Sequence, residues 1–299
     1  AWRMAAACLP DADAALALLG EDYISQSYAH APGKLPSARV VTATFSRRLD
    51  QRLGQRAREV LAHPSFRLHV FTSRGRRLLH RPGRLATVLG WGSAFGANAL
   101  GRRALGGWME RVVFSDARDP LPFPLADYPT HRAELGPHNL ALSVLASCTI
   151  PFVLEPVQDV PGGPAGTYWD GGITDYHLHL NYASELIADY ADDTGATGHN
   201  GLKNPGLVLY PHFQSRVVPG WLDKSWKRRH RATSALDNLV LLSPRADWVA
   251  TLPGAKLPDR GDFKRYGQDV AGRQRDWRRA LAESQRLADE FAQLVAGGR

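Results

Sequence analysis

The residues TYWDGG at positions 167–172 form an aromatic run that stops at an aspartate and is followed by two glycines. The aromatic and β-branched residues before Asp170 predict a short strand. Because Gly171 and Gly172 carry no Cβ, the chain can turn sharply there and let another group approach closely. Asp-Gly is also a common tight-turn sequence, so these residues alone leave a plain turn and a catalytic carboxylate both open.

Short apolar runs of strand type alternate with helical patterns along the rest of the chain. Helical patterns are distinguished by apolar residues recurring every three or four positions, and strands by short β-branched or aromatic runs. The predicted strands are residues 66–71, 111–114, 167–170, 207–210 and 239–242, and the predicted helices are residues 2–8, 11–23, 45–61 and 137–147. This alternation predicts a layered fold of the α/β class.

The clearest helical pattern lies at the C-terminal end. Apolar or small residues recur there at alternating spacings of four and three, at Trp277, Leu281, Ser284, Ala288, Phe291 and Val295. The spacing predicts an amphipathic helix of about six turns within residues 264–297. No convincing linker precedes it, so we expect one domain over residues 1–299 with this helix on its flank. A dimerisation helix is the alternative.

Composition and charge exclude several classes of protein. Of the 299 residues, 44% are hydrophobic and 22% charged, which is typical of a globular chain and excludes collagen, coiled coils and full disorder. Cys8 and Cys148 are too few for a disulfide framework or a structural zinc site, and a cytoplasmic location is expected. The net charge of +8 favours a polyanionic partner: nucleic acid, an anionic membrane or a phosphorylated substrate.

A second stretch changes the interpretation of Asp170. Residues 145–157, LASCTIPFVLEPV, break a predicted helix at Pro151, and a loop then leads to the Asp-Gly-Gly turn. The two stretches together resemble the patatin-like phospholipase family, in which a Ser-x-x-Ile-Pro-type segment precedes the strand bearing a catalytic Asp-Gly-Gly/Ala. Residues 1–7, AWRMAAA, are similar to the small apolar helix that directly follows that family's Gly-x-Ser-x-Gly nucleophile elbow. The order of elements is compatible with the family from residue 1 to about residue 245.

The resemblance implies a fold, a reaction and roles for individual residues. The implied fold is a three-layer α/β/α serine hydrolase whose N-terminal strand and elbow are missing from this chain. The implied reaction is hydrolysis of carboxylic esters of lipids by a Ser–Asp dyad, with Asp170 as the base and with Gly171 and Gly172 shaping the turn. A serine hydroxyl needs such a positioned base to become nucleophilic. The family's chemistry requires no cofactor and no metal.

Two departures from the family pattern limit the resemblance. The elbow and the Gly-rich oxyanion loop are absent, and the nearest lookalike, residues 90–96, has the wrong spacing around Ser93. The fragment alone is therefore expected to be inactive, with the serine lying outside it. The family often has Asn and Pro after the aspartate, where this chain has Asp175, Tyr176, His177, Leu178 and His179.

Histidines near the Asp-Gly-Gly turn allow two interpretations. His177 and His179 are two residues apart, so on a strand they would point to the same side, and His212 lies at another predicted strand end. Histidines at this spacing can bind a metal ion. No acidic cluster accompanies them, so we expect Tyr176, His177 and His179 to line a pocket, and a metal-dependent hydrolase stays as an alternative.

Two basic clusters suggest contact with an anionic surface. The first, with Arg74, Arg76 and Arg77, precedes an uncharged stretch at residues 85–101, which could form a lid near phosphate headgroups or an ordinary buried helix. A membrane span is disfavoured because the stretch is short and rich in glycine. The second cluster, residues 221–231, interleaves tryptophan with Lys227, Arg228 and Arg229.

The second cluster supports a competing hypothesis for the whole chain. A solvated loop, a contact with anionic lipid and a contact with nucleic acid all remain open for residues 221–231. The chain could therefore be a non-catalytic basic module that binds an anionic membrane or nucleic acid. No recognisable nucleic-acid motif accompanies the cluster, so the expected partners are a lipid or ester substrate and a peripheral membrane contact.

Overall fold

A five-stranded mixed β-sheet organises the larger of two compact units in the computed structural model. The structure describes residues 1–28, 36–81, 83–119, 121–182 and 206–297. The first unit comprises Ala1–Ala17, Ser37–Val208 and Arg216–Leu239, and the second comprises Leu18–Pro36, Leu209–Ser215 and Val240–Arg299. Helices and strands both occur, so the chain has a mixed α/β fold.

The sheet has the strand order β3-β2-β1-β5-β4. Its strands are β1 (His69–Gly75), β2 (Met109–Asp116), β3 (Thr130–Leu135), β4 (Val157–Gln158) and β5 (Thr167–Asp170). The β2–β3 pair is parallel, and the other three pairs are antiparallel. β1 and β2 are buried along nearly their whole length, as expected of strands covered on both faces. In the β1–β5 pair, Asp170 lies opposite Thr72.

Helices of the first unit surround this sheet. They are Trp2–Ala7, Ala38–Leu49, Ala57–Leu61, Arg84–Leu100, Arg102–Leu105, Leu140–Ser147 and Gly172–Asp175, and the helix Ala12–Ser25 continues from the first unit into the second. Helix Arg84–Leu100 packs on the sheet through Trp91, whose ring meets Trp169 edge to face at 5.3 Å. Trp91 and Trp169 belong to a buried apolar cluster with Leu105 and Met109.

The predicted strand at residues 66–71 is shifted in the structure. The strand begins only at His69, because the N–H groups of Ser65 and Phe66 donate to His63 Nδ1 at 3.2 and 2.8 Å. The Phe66 ring stacks on the His63 ring at 4.3 Å. These local hydrogen bonds hold residues 63–66 in a turn, which competes with extension of the strand.

The predicted helix at residues 45–61 is also different. It begins earlier, at Ala38, where the Ser37 hydroxyl caps it by accepting from Val40 N–H. After Leu49 it changes to one π-helical turn, Asp50–Gly54, before the short helix Ala57–Leu61. The uncharged stretch after Arg84 is helical from Arg84 to Leu100. Among the described residues, no helix is both long enough and apolar enough to cross a membrane.

The second unit is built on the helix Val270–Ala296, with the short helices Ala246–Ala250 and Gly261–Tyr266 before it. The helical region expected at residues 264–297 is therefore divided, since Gly267 has a φ of 55° and ends the preceding helix. Trp277 stacks on Tyr23 at 5.3 Å and meets Phe263 edge to face at 5.7 Å. Two further strands, β6 (Val208–Pro211) and β7 (Leu239–Leu242), pair with each other.

Candidate active site

The Asp-Gly-Gly turn directly follows β5 and is held by its backbone. Asp170 N–H donates to Thr149 O at 2.9 Å, and Asp170 Oδ1 accepts from Gly172 N–H at 2.7 Å. A Cβ on Gly171 would lie 2.2 Å from the carbonyl oxygen of Phe71. No side chain fits in that space, so glycine at this position lets the turn lie directly against β1.

The Asp170 carboxyl group is partly buried at the end of the strand. Burial among protein atoms raises its pKa to about 6, against smaller lowering effects from Gly172 N–H, the Ala1 amino group and the Lys224 ammonium. Desolvation disfavours the charged carboxylate, whereas hydrogen-bond donors and cations favour it. The result is a carboxylate that is mostly ionised at neutral pH and is still a better proton acceptor than an ordinary aspartate.

Three segments of the first unit converge at this carboxylate. The Ala1 amino group lowers the pKa of both Asp170 and Cys148, and the Asp170 carboxylate raises the pKa of the Cys148 thiol. Burial is the largest cause of the Cys148 shift, to a pKa of about 11. Thr149, the next residue, supplies the carbonyl oxygen bonded to Asp170 N–H. The Trp2 backbone N–H also hydrogen-bonds the Cys148 thiol, so residues 1–2, 148–149 and 170 form one neighbourhood.

The helix that follows the turn, Gly172–Asp175, is anchored to the central strands. Asp175 is buried and accepts hydrogen bonds from Arg111 Nε and Nη2 at 2.7 and 2.6 Å. Arg111, which is itself buried on β2, also pairs with Asp127 at 2.8 Å. The Thr174 and Ser73 hydroxyls lie 3.0 Å apart. These contacts hold the turn rigidly, as a positioned base requires.

The candidate pocket residues lie immediately after this helix, in turns and irregular backbone and not on a strand. The Tyr176 and His177 rings stack at 4.1 Å, and buried His177 accepts from Val218 N–H through Nδ1 at 2.8 Å. His179 is partly exposed, and burial lowers its pKa. Among the described residues, no group of three His, Cys, Asp or Glu side chains could hold a metal ion.

Three of the six basic residues singled out in the sequence have partners inside the protein. Arg74 Nε lies 2.6 Å from Glu110 Oε1, and Arg76 Nη1 donates to Gly106 O at 2.8 Å. Arg229 Nη1 pairs with buried Asp223 at 2.7 Å, and both of its terminal nitrogens donate to the end of helix Arg84–Leu100. These guanidinium groups have structural partners and are less available to an external anion.

The other three basic residues face solvent. Arg77, Lys227 and Arg228 are exposed. The Arg77 guanidinium lies 5.7 Å from the centre of the Trp108 ring, which orients it without neutralising its charge. The structure therefore separates the two basic clusters of the sequence into internal ion pairs and exposed charges.

Sequence reasoning did not single out Lys224, Thr149 and Arg111 as site residues. Lys224 Nζ lies 4.2 Å from the centre of the Tyr176 ring and influences the Asp170 carboxylate. For Lys224 and Thr149, no local signal exists, because their role depends on tertiary contacts. Arg111 does carry a signal, since an arginine that begins an apolar strand run indicates a buried ion pair.

Each unit contains a cavity away from Asp170. In the first unit, a cavity of about 530 Å³ is lined by Met4, Cys8, Phe66 and Leu121, among others. In the second unit, a cavity of about 840 Å³ is lined mainly by Leu242, Trp248, Leu287 and Phe291 with charged residues at its edge. Neither cavity is lined by Asp170 or by its neighbours in the turn.

Comparisons of the chain with protein-family models, with curated proteins and with solved structures each return no match.

Proposed function

We propose that this chain is the larger part of a patatin-like serine esterase or phospholipase that hydrolyses carboxylic esters of lipids. The proposal includes a three-layer α/β/α arrangement for the catalytic domain, a Ser–Asp dyad with Asp170 as base, and a serine outside these 299 residues. It requires no metal or organic cofactor. We also propose a cytoplasmic enzyme with peripheral contact to membranes.

The observation that carries the proposal is the convergence of Ala1, Cys148 and Asp170. These residues are far apart in the sequence, yet the Trp2 backbone N–H hydrogen-bonds the Cys148 thiol, and Asp170 N–H donates to the carbonyl oxygen of the next residue, Thr149, at 2.9 Å. A residue joined to Ala1 would therefore lie in the same neighbourhood as Asp170. This is where the resemblance puts the elbow serine, directly before the helix Trp2–Ala7. Burial raises the pKa of Asp170, which adds support, because a more basic carboxylate suits a general base at neutral pH.

The proposed reaction has two proton-transfer cycles through one carboxylate. Asp170 accepts the serine proton as the serine oxygen bonds to the ester carbonyl carbon. The tetrahedral intermediate then expels the alcohol, which takes that proton from Asp170 and leaves an acyl-serine. In the second cycle, Asp170 accepts a proton from water as the water oxygen attacks the acyl carbon, and it returns the proton to the departing serine oxygen.

The turn contributes to both cycles by keeping the carboxylate in place. Gly172 N–H fixes Asp170 Oδ1, and the close approach of Gly171 to Phe71 fixes the backbone. Positioning of a base within hydrogen-bond reach is worth far more than a small gain in basicity, because proton transfer depends steeply on geometry. The fixed turn is thus consistent with a base that acts twice.

The proposal is tested by the intact mass of the native protein before and after treatment with a fluorophosphonate probe. We expect a species heavier than 32.8 kDa that gains one adduct, on a serine outside these 299 residues. A native species of 32.8 kDa that takes no adduct would overturn the proposal, as would an adduct on one of the serines in this chain.

The role of Asp170 is tested in the same native protein by Asp170→Asn. We expect turnover of a soluble ester to fall by about 10³-fold, because the serine loses its proton acceptor, with the fold unchanged by circular dichroism. Asp13→Asn, at an exposed aspartate, is the matched control and should retain full activity. Turnover near the wild-type level in Asp170→Asn would exclude the dyad.

A further inference from the structure

Helix Arg84–Leu100 has two unlike faces. One face is buried, where Trp91, Ala94 and Asn98 are 6%, 0% and 1% exposed. The opposite face carries an apolar stripe that consists of Leu85, Val88, Leu89, Phe95 and Leu100. These five side chains are between 52% and 90% exposed. Large apolar side chains are common singly on protein surfaces, but a continuous stripe marks an interaction site.

The spacing of the apolar stripe shows that it is one surface. Steps of three, one, six and five residues at about 100° per residue keep all five side chains within roughly 140° of the helix circumference. Gly92 and Gly96 lie on the same side and are exposed, and a methyl group added at either position would meet nothing within 4 Å. The outer face of the helix is therefore apolar and unobstructed over its length.

The surroundings of the apolar stripe are positively charged. From residue 74 to residue 108 the sequence contains seven arginines and no aspartate or glutamate. Arg77 and Arg103, on either side of the helix in sequence, are exposed. Arg74, Arg76, Arg81 and Arg102 pair with carboxylates, so the exposed positive charge beside the helix comes from Arg77 and Arg103.

The second basic segment is attached to the end of the same helix. Asn98 Nδ2 donates to Asp223 Oδ1 at 2.9 Å, and Arg229 Nη1 donates to Asn98 O at 2.8 Å. These bonds hold residues 223–229 against the C-terminal end of the helix. Lys227 and Arg228 remain exposed beside it. Together with Arg77 and Arg103 they form what we term the basic rim.

We propose that the apolar stripe and the basic rim form a surface that docks on anionic lipid bilayers. Helix Arg84–Leu100 would lie in the plane of the interface, with the apolar stripe among the acyl chains and the basic rim at the lipid phosphates. Binding of this kind combines burial of apolar area with attraction to anionic headgroups, and each component alone is weak. The inference does not depend on the proposed hydrolysis.

Charge complementarity favours a bilayer over a second copy of this chain. In a symmetric dimer through this face, the two copies of the basic rim, each with exposed Arg77, Arg103, Lys227 and Arg228, would oppose each other. Nucleic acid would neutralise the charge of the basic rim but leave the apolar stripe exposed to water. An anionic bilayer both buries the apolar stripe and neutralises the charge of the basic rim.

The test is sedimentation of the 299-residue chain with vesicles of phosphatidylcholine, with and without phosphatidylglycerol. We expect binding to the anionic vesicles that weakens with salt, and much weaker binding to phosphatidylcholine alone. Phe95→Ser should lower the partition coefficient about tenfold. Phe66→Ser is the matched control, because Phe66 is 53% exposed and Phe95 is 52% exposed.

The basic rim is tested by Lys227→Gln, which should weaken binding to anionic vesicles about fivefold. Arg58→Gln, which removes an exposed charge elsewhere in the first unit, should leave binding to anionic vesicles unchanged. The proposal is overturned if no chain sediments with anionic vesicles or if Phe95→Ser and Phe66→Ser bind equally. It is also overturned if light scattering shows a dimer that Phe95→Ser dissociates. Because sedimentation requires no turnover, failure here leaves the proposed hydrolysis untouched.

Discussion

Asp170 and Asp175 lie five residues apart, one at the end of β5 and the other at the end of the helix Gly172–Asp175, and their surroundings are opposite. Asp175 is buried and accepts two hydrogen bonds from the guanidinium of Arg111, at 2.7 and 2.6 Å. Asp170 is partly buried, and among the described residues its carboxylate accepts a single hydrogen bond, from Gly172 N–H. One carboxylate has a cation in contact, and the other has lost solvent without gaining one.

The difference shows how one residue type serves two purposes. A buried carboxylate that is paired with a guanidinium stabilises the fold, because removing either partner leaves an uncompensated charge. Desolvation destabilises the ionised form of a carboxylate that lacks such a partner, and the raised pKa makes it a better base. Asp175 thus secures the turn, and the reactive position is left to Asp170.

The structural role of Asp175 is tested most directly by Asp175→Asn. This variant leaves the buried Arg111 with only the half-exposed Asp127 as a charged partner. We expect a loss of about 3 kcal/mol in the free energy of unfolding, measured by urea denaturation at pH 8. A loss below about 1 kcal/mol would mean that Asp127 compensates and that the Arg111–Asp175 pair does not hold the turn.

The matched variant, Asp170→Asn, should have the opposite effect on stability. The pKa of Asp170 is raised to about 6 in the folded chain, so the folded state binds more protons than the unfolded state between about pH 4 and pH 6. The free energy of unfolding of the wild-type chain therefore falls by about 2 kcal/mol as the pH rises through this range. Asp170→Asn should lack that loss and be at least as stable as wild type at pH 8.

The parts of the site that depend on neighbouring residues in the sequence could be predicted from the sequence. The strands at residues 167–170 and 239–242 are confirmed, because a run of aromatic or β-branched residues bounded by turn residues specifies a strand. The turn after Asp170 is also where its two glycines predict it. Local hydrogen bonds account for the error at residues 66–71, since a single histidine ring competed with the strand.

The partners of each charged group could not be predicted from the sequence. Arg74 and Arg77 belong to one run of arginines, yet one binds Glu110 and the other faces solvent. Trp91 and Phe95 are equally apolar, but only the tertiary fold determines that Trp91 is buried and Phe95 is exposed. Lys224 influences Asp170 across more than fifty residues of sequence. Such assignments depend on long-range packing, which periodicity does not encode.

A smaller effect is expected from Gly171→Ala. The added methyl group would lie 2.2 Å from the carbonyl oxygen of Phe71, so the turn or β1 must shift. We expect a loss of about 2 kcal/mol in unfolding free energy. Gly92→Ala is the control, because a methyl group meets nothing within 4 Å there and alanine favours the helix, with an expected gain of about 0.5–1 kcal/mol. Equal effects of the two variants would refute the close approach at Gly171.

The smallest expected effect concerns the cation nearest to Asp170 in the second basic segment. Lys224 lowers the pKa of Asp170, so Lys224→Met should raise that pKa by a fraction of a unit above its value of about 6. The pKa can be followed in the 299-residue chain by carboxyl ¹³C NMR during a pH titration, which requires no catalytic activity. Lys227→Met removes a charge that does not act on Asp170 and should leave the titration unchanged.

The same titration also separates the effects of the Ala1 amino group and of Lys224 on the pKa of Asp170. The Ala1 amino group lowers the pKa of Asp170 only while it is charged, and acetylation of that amino group removes the charge. Acetylation should therefore raise the pKa of Asp170 further, and the rise should add to that of Lys224→Met because the two cations act independently. A pKa that stays at its wild-type value after both changes would mean that neither cation reaches the carboxylate. The convergence of Ala1 with Asp170, on which the proposed dyad rests, would then be lost, whereas the Arg111–Asp175 pair would be unaffected.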